Sequence, residues 1–122
     1  MAAITVIRAS TNNYLRFYGT GTANQSDTLT STAVATHRRQ RLIAVSVVYS
    51  AAPIQTGVLI AIDSALGSGH DVTLLTGSAD VRHTYFIPDE EIWLLAGDAV
   101  IVTAPAAGGV ITASIQIITE EY

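Results

Sequence analysis

Hydrophobic and polar residues alternate along much of the chain, in short runs that end at Gly, Pro, Asn or Asp. The clearest run is residues 41–51. Its predicted inner face comprises Ile43, Val45, Val47 and Tyr49, and Leu42 falls on the opposite face. A second run, residues 110–118, turns Ile111, Ala113, Ile115 and Ile117 to one side. A period of two residues predicts half-buried β-strands.

The same criterion predicts eight to ten short strands separated by turn residues. They lie at residues 3–9, 14–18, 28–35, 41–51, 57–63, 72–75, 81–87, 91–95, 99–103 and 110–118. Residues 105–109 are predicted to connect two strands of a hairpin. The acidic start of residues 88–95 leaves one helical turn there as an alternative. We therefore predict a single all-β domain over residues 1–122, an antiparallel, jelly-roll-like β-sandwich of about eight strands.

Composition narrows the classes of partner. The chain has 122 residues, a net charge of -4, no Lys and no Cys. A nucleic-acid-binding domain normally carries a basic face, so we expect no nucleic-acid partner. No apolar run approaches the roughly 20 residues of a membrane helix, and the start of the chain does not resemble a signal peptide, so we expect no membrane partner. The low charge suits burial against neighbouring subunits.

The polar N-terminal third, about residues 10–36, contains few core residues. We predict an arm or edge strands that pair with a neighbouring molecule. Ordinary surface loops and edge strands are the alternative.

The residues that could serve in catalysis or metal binding are expected to have structural roles instead. The candidate metal ligands are Asp63, His70, Asp71 and His83. The aspartates are expected to cap turns instead, and His83 is expected to pack in the core. The segment at residues 67–71 contains Ser, His and Asp, but a catalytic triad needs residues that converge from different elements. We predict no enzyme activity, metal or cofactor.

The remaining candidates are interface residues. Three of the six arginines crowd at Arg38, Arg39 and Arg41, at a predicted loop tip. This tip either contacts a neighbouring protein or is solvated. With it, the aromatic residues Tyr14, Tyr18 and Trp93 are predicted to form an interface with neighbouring protein subunits.

Four segments carry a resemblance to a known group of proteins. They are residues 42–53 (LIAVSVVYSAAP), 62–67 (IDSALG, with Asp71 nearby), 87–90 (IPDE) and 94–102 (LLAGDAVIV, a hairpin in the group). Together they resemble small virion proteins of tailed bacteriophages. The resemblance extends over about residues 42–118, and the N-terminal third departs from it. It implies a jelly-roll-like protein that decorates, or cements, the phage head, commonly as a trimer.

We therefore expect a structural virion protein, assembled in the host cytoplasm, that stabilises the head shell as a homotrimer. Its partners would be the major capsid protein and other copies of itself. The alternatives are a receptor- or glycan-binding module on a tail or fibre, with Tyr18 or Trp93 on a concave surface, and a metal-binding or enzymatic jelly roll.

Overall fold

The alternating runs form strands in a computed structural model that describes residues 5–8, 13–53 and 57–122, the first of these as backbone only. The strands are β1 (Thr5–Arg8), β2 (Tyr14–Thr20), β3 (Asp27–Thr30), β4 (Gln40–Tyr49), β5 (Leu59–Asp63), β6 (Val72–Thr76), β7 (His83–Phe86), β8 (Trp93–Leu94), β9 (Ala99–Ala104) and β10 (Ala113–Glu121). A 3-10 turn, Ser68–His70, lies between β5 and β6. Within the described ranges there is no α-helix, and the helical turn considered for residues 88–95 is absent, since this segment holds a bend followed by the short strand β8.

Two antiparallel sheets form a sandwich. The six-stranded sheet has the order β1-β2-β10-β4-β7, with β8 also paired to β4, and the four-stranded sheet has the order β3-β9-β5-β6. The order β2-β10-β4-β7 facing β3-β9-β5-β6 is that of a jelly roll. The predicted fold class is confirmed.

The connections at either end of β9 differ from the prediction. The sequence predicts a hairpin over residues 94–102 and a hairpin connection over residues 105–109, which would pair β9 with β8 and with β10. In the structure β9 belongs to the four-stranded sheet, whereas β8 and β10 belong to the six-stranded sheet. Both expectations are wrong, since each connection crosses the sandwich. The hydroxyl of Tyr49 donates a hydrogen bond of 3.0 Å to the carbonyl oxygen of Pro105, which fixes the second crossing. Alternation predicts which side of a strand is apolar, but not which strand lies beside it.

The core lies between the sheets. Its largest fully buried side chains include Phe17, Leu29, Tyr49, Ile60, Leu94, Ile115 and Ile117. The inward face predicted for β10 is confirmed, because Ala113, Ile115 and Ile117 are buried and Ile111 packs against the core. On β5, Ile60 is buried and Leu59 is exposed, as alternation requires.

A β-bulge changes the faces at the start of β4. Ile118 pairs with Ala44, but the next residue of β10, Thr119, pairs with Leu42, so Ile43 has no partner in this register. An extra residue on one strand shifts the alternation by one position. Leu42 is therefore buried and Ile43 only half-buried. The predicted assignment of these two residues to faces is wrong, whereas that of Val45, Val47 and Tyr49 is confirmed.

Strand β7 turns His83 outward. β7 pairs only with β4 within the described part of the chain, and its residues Thr84 and Phe86 stand opposite Val47 and Val45 on the inner face. His83 and Tyr85 consequently point to solvent, and both are exposed. The expectation of a core-packed His83 is wrong because the apolar side of this edge strand is the side of Phe86.

The N-terminal third contributes strands to the sandwich of its own chain. β2 lies between β1 and β10, and β3 is an edge strand beside β9. β2 is therefore part of the sheet rather than an arm, and β3 is an edge strand, while pairing of residues 10–36 with a neighbouring molecule stays a prediction. Residues 10–12 lie outside the described ranges.

Candidate functional site

One row of side chains crosses four strands on the outer face of the six-stranded sheet. Tyr14 on β2 pairs with Glu120 on β10, Glu120 pairs with Arg41 on β4, and Arg41 pairs with Trp93 on β8. The inner neighbours of these residues, such as Leu15, are buried, so alternation turns the row outward. With Arg39, Glu91 and Tyr122, this row forms what we call the Arg–Trp cluster.

Arg41 joins the acidic residues of the cluster. Its Nη2 donates to Glu120 Oε1 at 2.9 Å, and its Nη1 lies 3.7 Å from Glu91 Oε1. Trp93 Nε1 donates to Glu91 Oε2 at 3.1 Å. Since one guanidinium contacts carboxylates from two different segments, it holds β8 and β10 against β4 at this end of the sheet.

Arg39 covers the aromatic part of the cluster. Its Cζ lies 4.6 Å from the centroid of the Trp93 ring and 5.9 Å from that of Tyr122. The two rings are tilted by 56°, with their centroids 5.3 Å apart. The backbones of Arg39 and Tyr122 also pair, with Tyr122 N donating to Arg39 O at 2.9 Å. These contacts fix a cation–π stack at the end of β10.

The surroundings of Glu120 shift the pKa of its carboxyl. The Tyr122 hydroxyl donates a short hydrogen bond to it, and this bond is the main cause that lowers the pKa of Glu120 below its usual range. Hydrogen bonds from Arg41 and Tyr14 lower that pKa further. The same contact with Glu120 raises the pKa of the Tyr122 hydroxyl. The cluster therefore holds a carboxylate ionised beside a neutral phenol.

The cluster contains four of the six predicted interface residues, namely Tyr14, Arg39, Arg41 and Trp93. Arg38 is exposed on the loop between β3 and β4, and Tyr18 lies further along β2, with the Arg16 guanidinium 5.3 Å above its ring. The interface role of all six stays a prediction.

Sequence reasoning missed Glu91, Glu120 and Tyr122 as members of the cluster. The alternation of β10 indicates that Glu120 points outward. It does not indicate that Glu120 lies beside Arg41, because that pairing depends on the bulge in β4.

Two exposed leucines lie on neighbouring loops, at the end of the sandwich that also carries the Arg–Trp cluster. Leu66 follows β5 and is 77% exposed, and Leu95 follows β8 and is 61% exposed. The Asp98 carboxylate joins their loops, because Oδ1 accepts from Ala65 N and Oδ2 accepts from Leu95 N, each at 2.9 Å. We call Leu66 and Leu95 the loop-end patch.

The loop before β4 is attached to the same turn. Val34 N donates to Asp98 O at 3.0 Å, and Gly97 N donates to Val34 O at 2.7 Å. Gly97 has φ +88°, and a Cβ at this position would lie 2.7 Å from Ala65 Cβ. Glycine is therefore needed both for the backbone conformation and for the close approach of the two loops.

The candidate metal ligands do not converge. Asp71 Oδ1 accepts a hydrogen bond of 2.9 Å from Ser64 N, which is the expected role of a loop cap. His83 lies on the six-stranded sheet, whereas Asp63 ends a strand of the other sheet. No group of three or more His, Cys, Asp or Glu side chains is placed to hold a metal ion in residues 5–8, 13–53 and 57–122. The same ranges contain no helix that is long and apolar enough to span a membrane.

Comparisons with known proteins give distant structural likeness alone. No protein-family model matches the chain, and no curated protein matches it. Among solved structures, the chain is similar to CapF bound to the inhibitor 3-isopropenyl-tropolone, with TM-score 0.44, 9% identity, and coverage of 99% of this chain and 31% of CapF.

Two further solved structures show likeness of the same kind. An arabinose-bound α-L-arabinofuranosidase, MgGH51, matches with TM-score 0.42, 11% identity, and coverage of 99% of this chain and 22% of that enzyme. The capsular polysaccharide assembling protein CapF from Staphylococcus aureus matches with TM-score 0.37, 7% identity, and coverage of 97% of this chain and 28% of that protein. The chain thus spans about a third or less of the length of these three structures.

Proposed function

We propose that this protein is a structural virion protein that decorates and stabilises a phage head shell as a homotrimer. The observation that carries the proposal is the exposed loop-end patch, whose two loops are joined by the hydrogen bonds of Asp98 and which lies at the same end of the sandwich as the Arg–Trp cluster. The resemblance of residues 42–118 to phage virion proteins supplies the biological setting.

The loop-end patch has the properties of a docking surface. Leu66 and Leu95 are exposed, and the hydrogen bonds of Asp98 hold their loops in place before any partner binds. A preformed apolar surface loses little conformational entropy on association. Large exposed apolar side chains on a folded domain mark interaction sites when they cluster.

The neighbouring cluster adds the residue types that dominate binding at protein interfaces. Trp, Tyr and Arg are enriched among the residues whose truncation weakens protein complexes most. Arg39 holds the rings of Trp93 and Tyr122 in one arrangement. We assign the contact with the major capsid protein to this end of the molecule. Soluble homo-oligomers usually have closed symmetry, and the resemblance to phage head decoration proteins, commonly trimers, is the reason for choosing a trimer.

Shell binding tests the assignment. Shells of the encoding phage, assembled without this chain, are mixed with purified protein, sedimented and analysed for bound protein. The wild type is expected to bind, and Leu66→Asp or Leu95→Asp is expected to weaken binding at least about tenfold, because each buries a charge in an apolar contact. Val110→Asp is the matched control, since Val110 is 88% exposed at the opposite end of the sandwich.

The oligomeric state is measured separately by light scattering. The expected mass is three times the chain mass of 12.8 kDa. A strict monomer would overturn the trimer, and wild-type protein that does not bind the shells would overturn decoration as the function. Equal losses in Leu66→Asp and Val110→Asp would show that the loop-end patch is not the docking surface.

A further inference from the structure

A second row of side chains crosses the outer face of the six-stranded sheet, further from the loop-end patch. Tyr18 on β2 pairs with Gln116 on β10, Gln116 pairs with Ser46 on β4, and Ser46 pairs with Tyr85 on β7. Adjacent strands lie about 4.8 Å apart, so the two tyrosines are separated by about 14 Å of sheet. The row therefore has an aromatic residue at each side and the polar residues Gln116 and Ser46 between them.

A groove of about 240 Å³ lies along the part of this row that crosses β2, β10 and β4, and Tyr85 stands just beyond its lining. Its lining residues are Arg16, Tyr18, Gly19, Thr20, Ser46, Val48, Ser114, Ile115 and Gln116. The small side chains of Ser46 and Ser114 leave the middle of the face low. Tyr85 stands beside Ser46 and is 68% exposed, which is unusual for an aromatic side chain within a strand.

The groove presents hydroxyl and amide groups and little free charge. Ser46, Ser114 and Thr20 each offer a hydroxyl that can donate and accept. Arg16 is the one charged residue among the lining residues, and its Nε already donates to Gln116 Oε1 at 2.6 Å. The same guanidinium lies over the Tyr18 ring, which holds that ring in place. An anionic ligand such as a nucleic acid would meet a single guanidinium in this groove, already engaged by Gln116 and Tyr18, whereas phosphate backbones are bound by several basic residues together.

We propose that this groove binds a neutral oligosaccharide. A sugar ring has apolar C–H faces that pack on tyrosine rings, and hydroxyls at its edge that exchange hydrogen bonds with serine, threonine and glutamine. The separation of Tyr18 and Tyr85 suits several linked sugar residues lying across the strands. The inference goes beyond the proposed decoration function and does not depend on it, because the groove and the loop-end patch share no residue.

Affinity electrophoresis of the purified full chain tests the site. The gels contain one soluble neutral polysaccharide each: a β-glucan, a mannan, a galactomannan, an arabinan or a dextran. At least one is expected to retard the wild type. Tyr85→Ala should raise the dissociation constant about tenfold, and Tyr18→Ala combined with Tyr85→Ala should abolish retardation. Because Tyr85 is exposed, its substitution is expected to leave the circular dichroism spectrum and the melting temperature unchanged.

Control variants separate binding in the groove from binding at the loop-end patch. Leu66→Asp, a substitution in the loop-end patch, should be retarded by the polysaccharide like the wild type but should bind shells weakly. Tyr85→Ala should bind shells like the wild type but should be retarded less. The proposal is overturned if none of the five polysaccharides retards the wild type, or if the double variant is retarded as strongly as the wild type. A sixth gel contains the anionic polysaccharide polygalacturonate. Retardation by this polysaccharide alone, removed by added salt, would show charge-driven binding and would also overturn the proposal.

Discussion

Glu120 is the residue at which the pH dependence of this fold can be tested most directly. Its carboxylate is held by the Tyr122 hydroxyl and by Arg41, and its pKa lies below the ordinary value of 4.5. A carboxyl whose pKa is lowered in the folded state stabilises the fold fully above its unfolded pKa. That contribution is lost as the pH falls through the lower, folded pKa.

Tyr122→Phe removes the main cause of this shift. We expect the variant to be less stable than the wild type above pH 4.5. The difference in the free energy of unfolding should shrink as the pH falls, because the hydrogen bond from the phenol favours the ionised carboxylate over the protonated one. Urea denaturation between about pH 3 and pH 7 measures this. Tyr18→Phe is the control, since the stability difference it causes should not vary with pH. A Tyr122→Phe difference that is equal at both ends of the range would contradict the assignment.

At the scale of elements, the bulge in β4 makes a prediction that plain alternation reverses. Leu42 is 2% exposed, whereas its neighbour Ile43 is half-buried and has no partner on β10. Leu42→Ala should therefore cost about 2–5 kcal/mol, and Ile43→Ala about 1 kcal/mol. Urea denaturation of both variants compares them under one condition. If Ile43→Ala were the more damaging, β4 would lack the bulge.

Strand content was predictable because each strand must keep one apolar side toward the core. The alternation in β10 and in the later part of β4 is long enough to predict both the strand and its inner face. Pairing was less predictable, because Val102 and Ile115 carry the same apolar signal whether they lie side by side or across the sandwich. For this reason the sequence pattern predicts a hairpin at Pro105, where the chain instead crosses between the sheets.

The candidate site was predictable in part for the same reason. Arg39 and Arg41 stand out as cations in a chain without lysine, and Trp93 stands out as the single tryptophan. Glu120 is distant from them in sequence and carries no local signal. It reaches Arg41 only because β10 pairs with β4 in one register, and a bulge of one residue sets that register at this end. Position within a sheet, rather than residue type, defines the cluster.

The whole molecule interleaves its two sheets along the chain. β2, β4 and β10 belong to one sheet, whereas β3, β5 and β9, which lie between them in sequence, belong to the other. Neither sheet can therefore form from one continuous segment. Each sheet also leaves an apolar face exposed until the other covers it, as Leu29 and Ile117, both fully buried, illustrate. Such a sandwich should fold as one cooperative unit.

Unfolding followed by two probes tests this cooperativity. Trp93 is the single tryptophan and reports on the six-stranded sheet, whereas far-ultraviolet circular dichroism reports on all strands. We expect the two urea transitions to coincide. Leu29→Ala, in β3 of the four-stranded sheet, should lower both midpoints equally, by the equivalent of about 2–5 kcal/mol. If the substitution moved the dichroism transition and left the tryptophan transition in place, the sheets would be independent units, and interleaving alone would not make this fold cooperative.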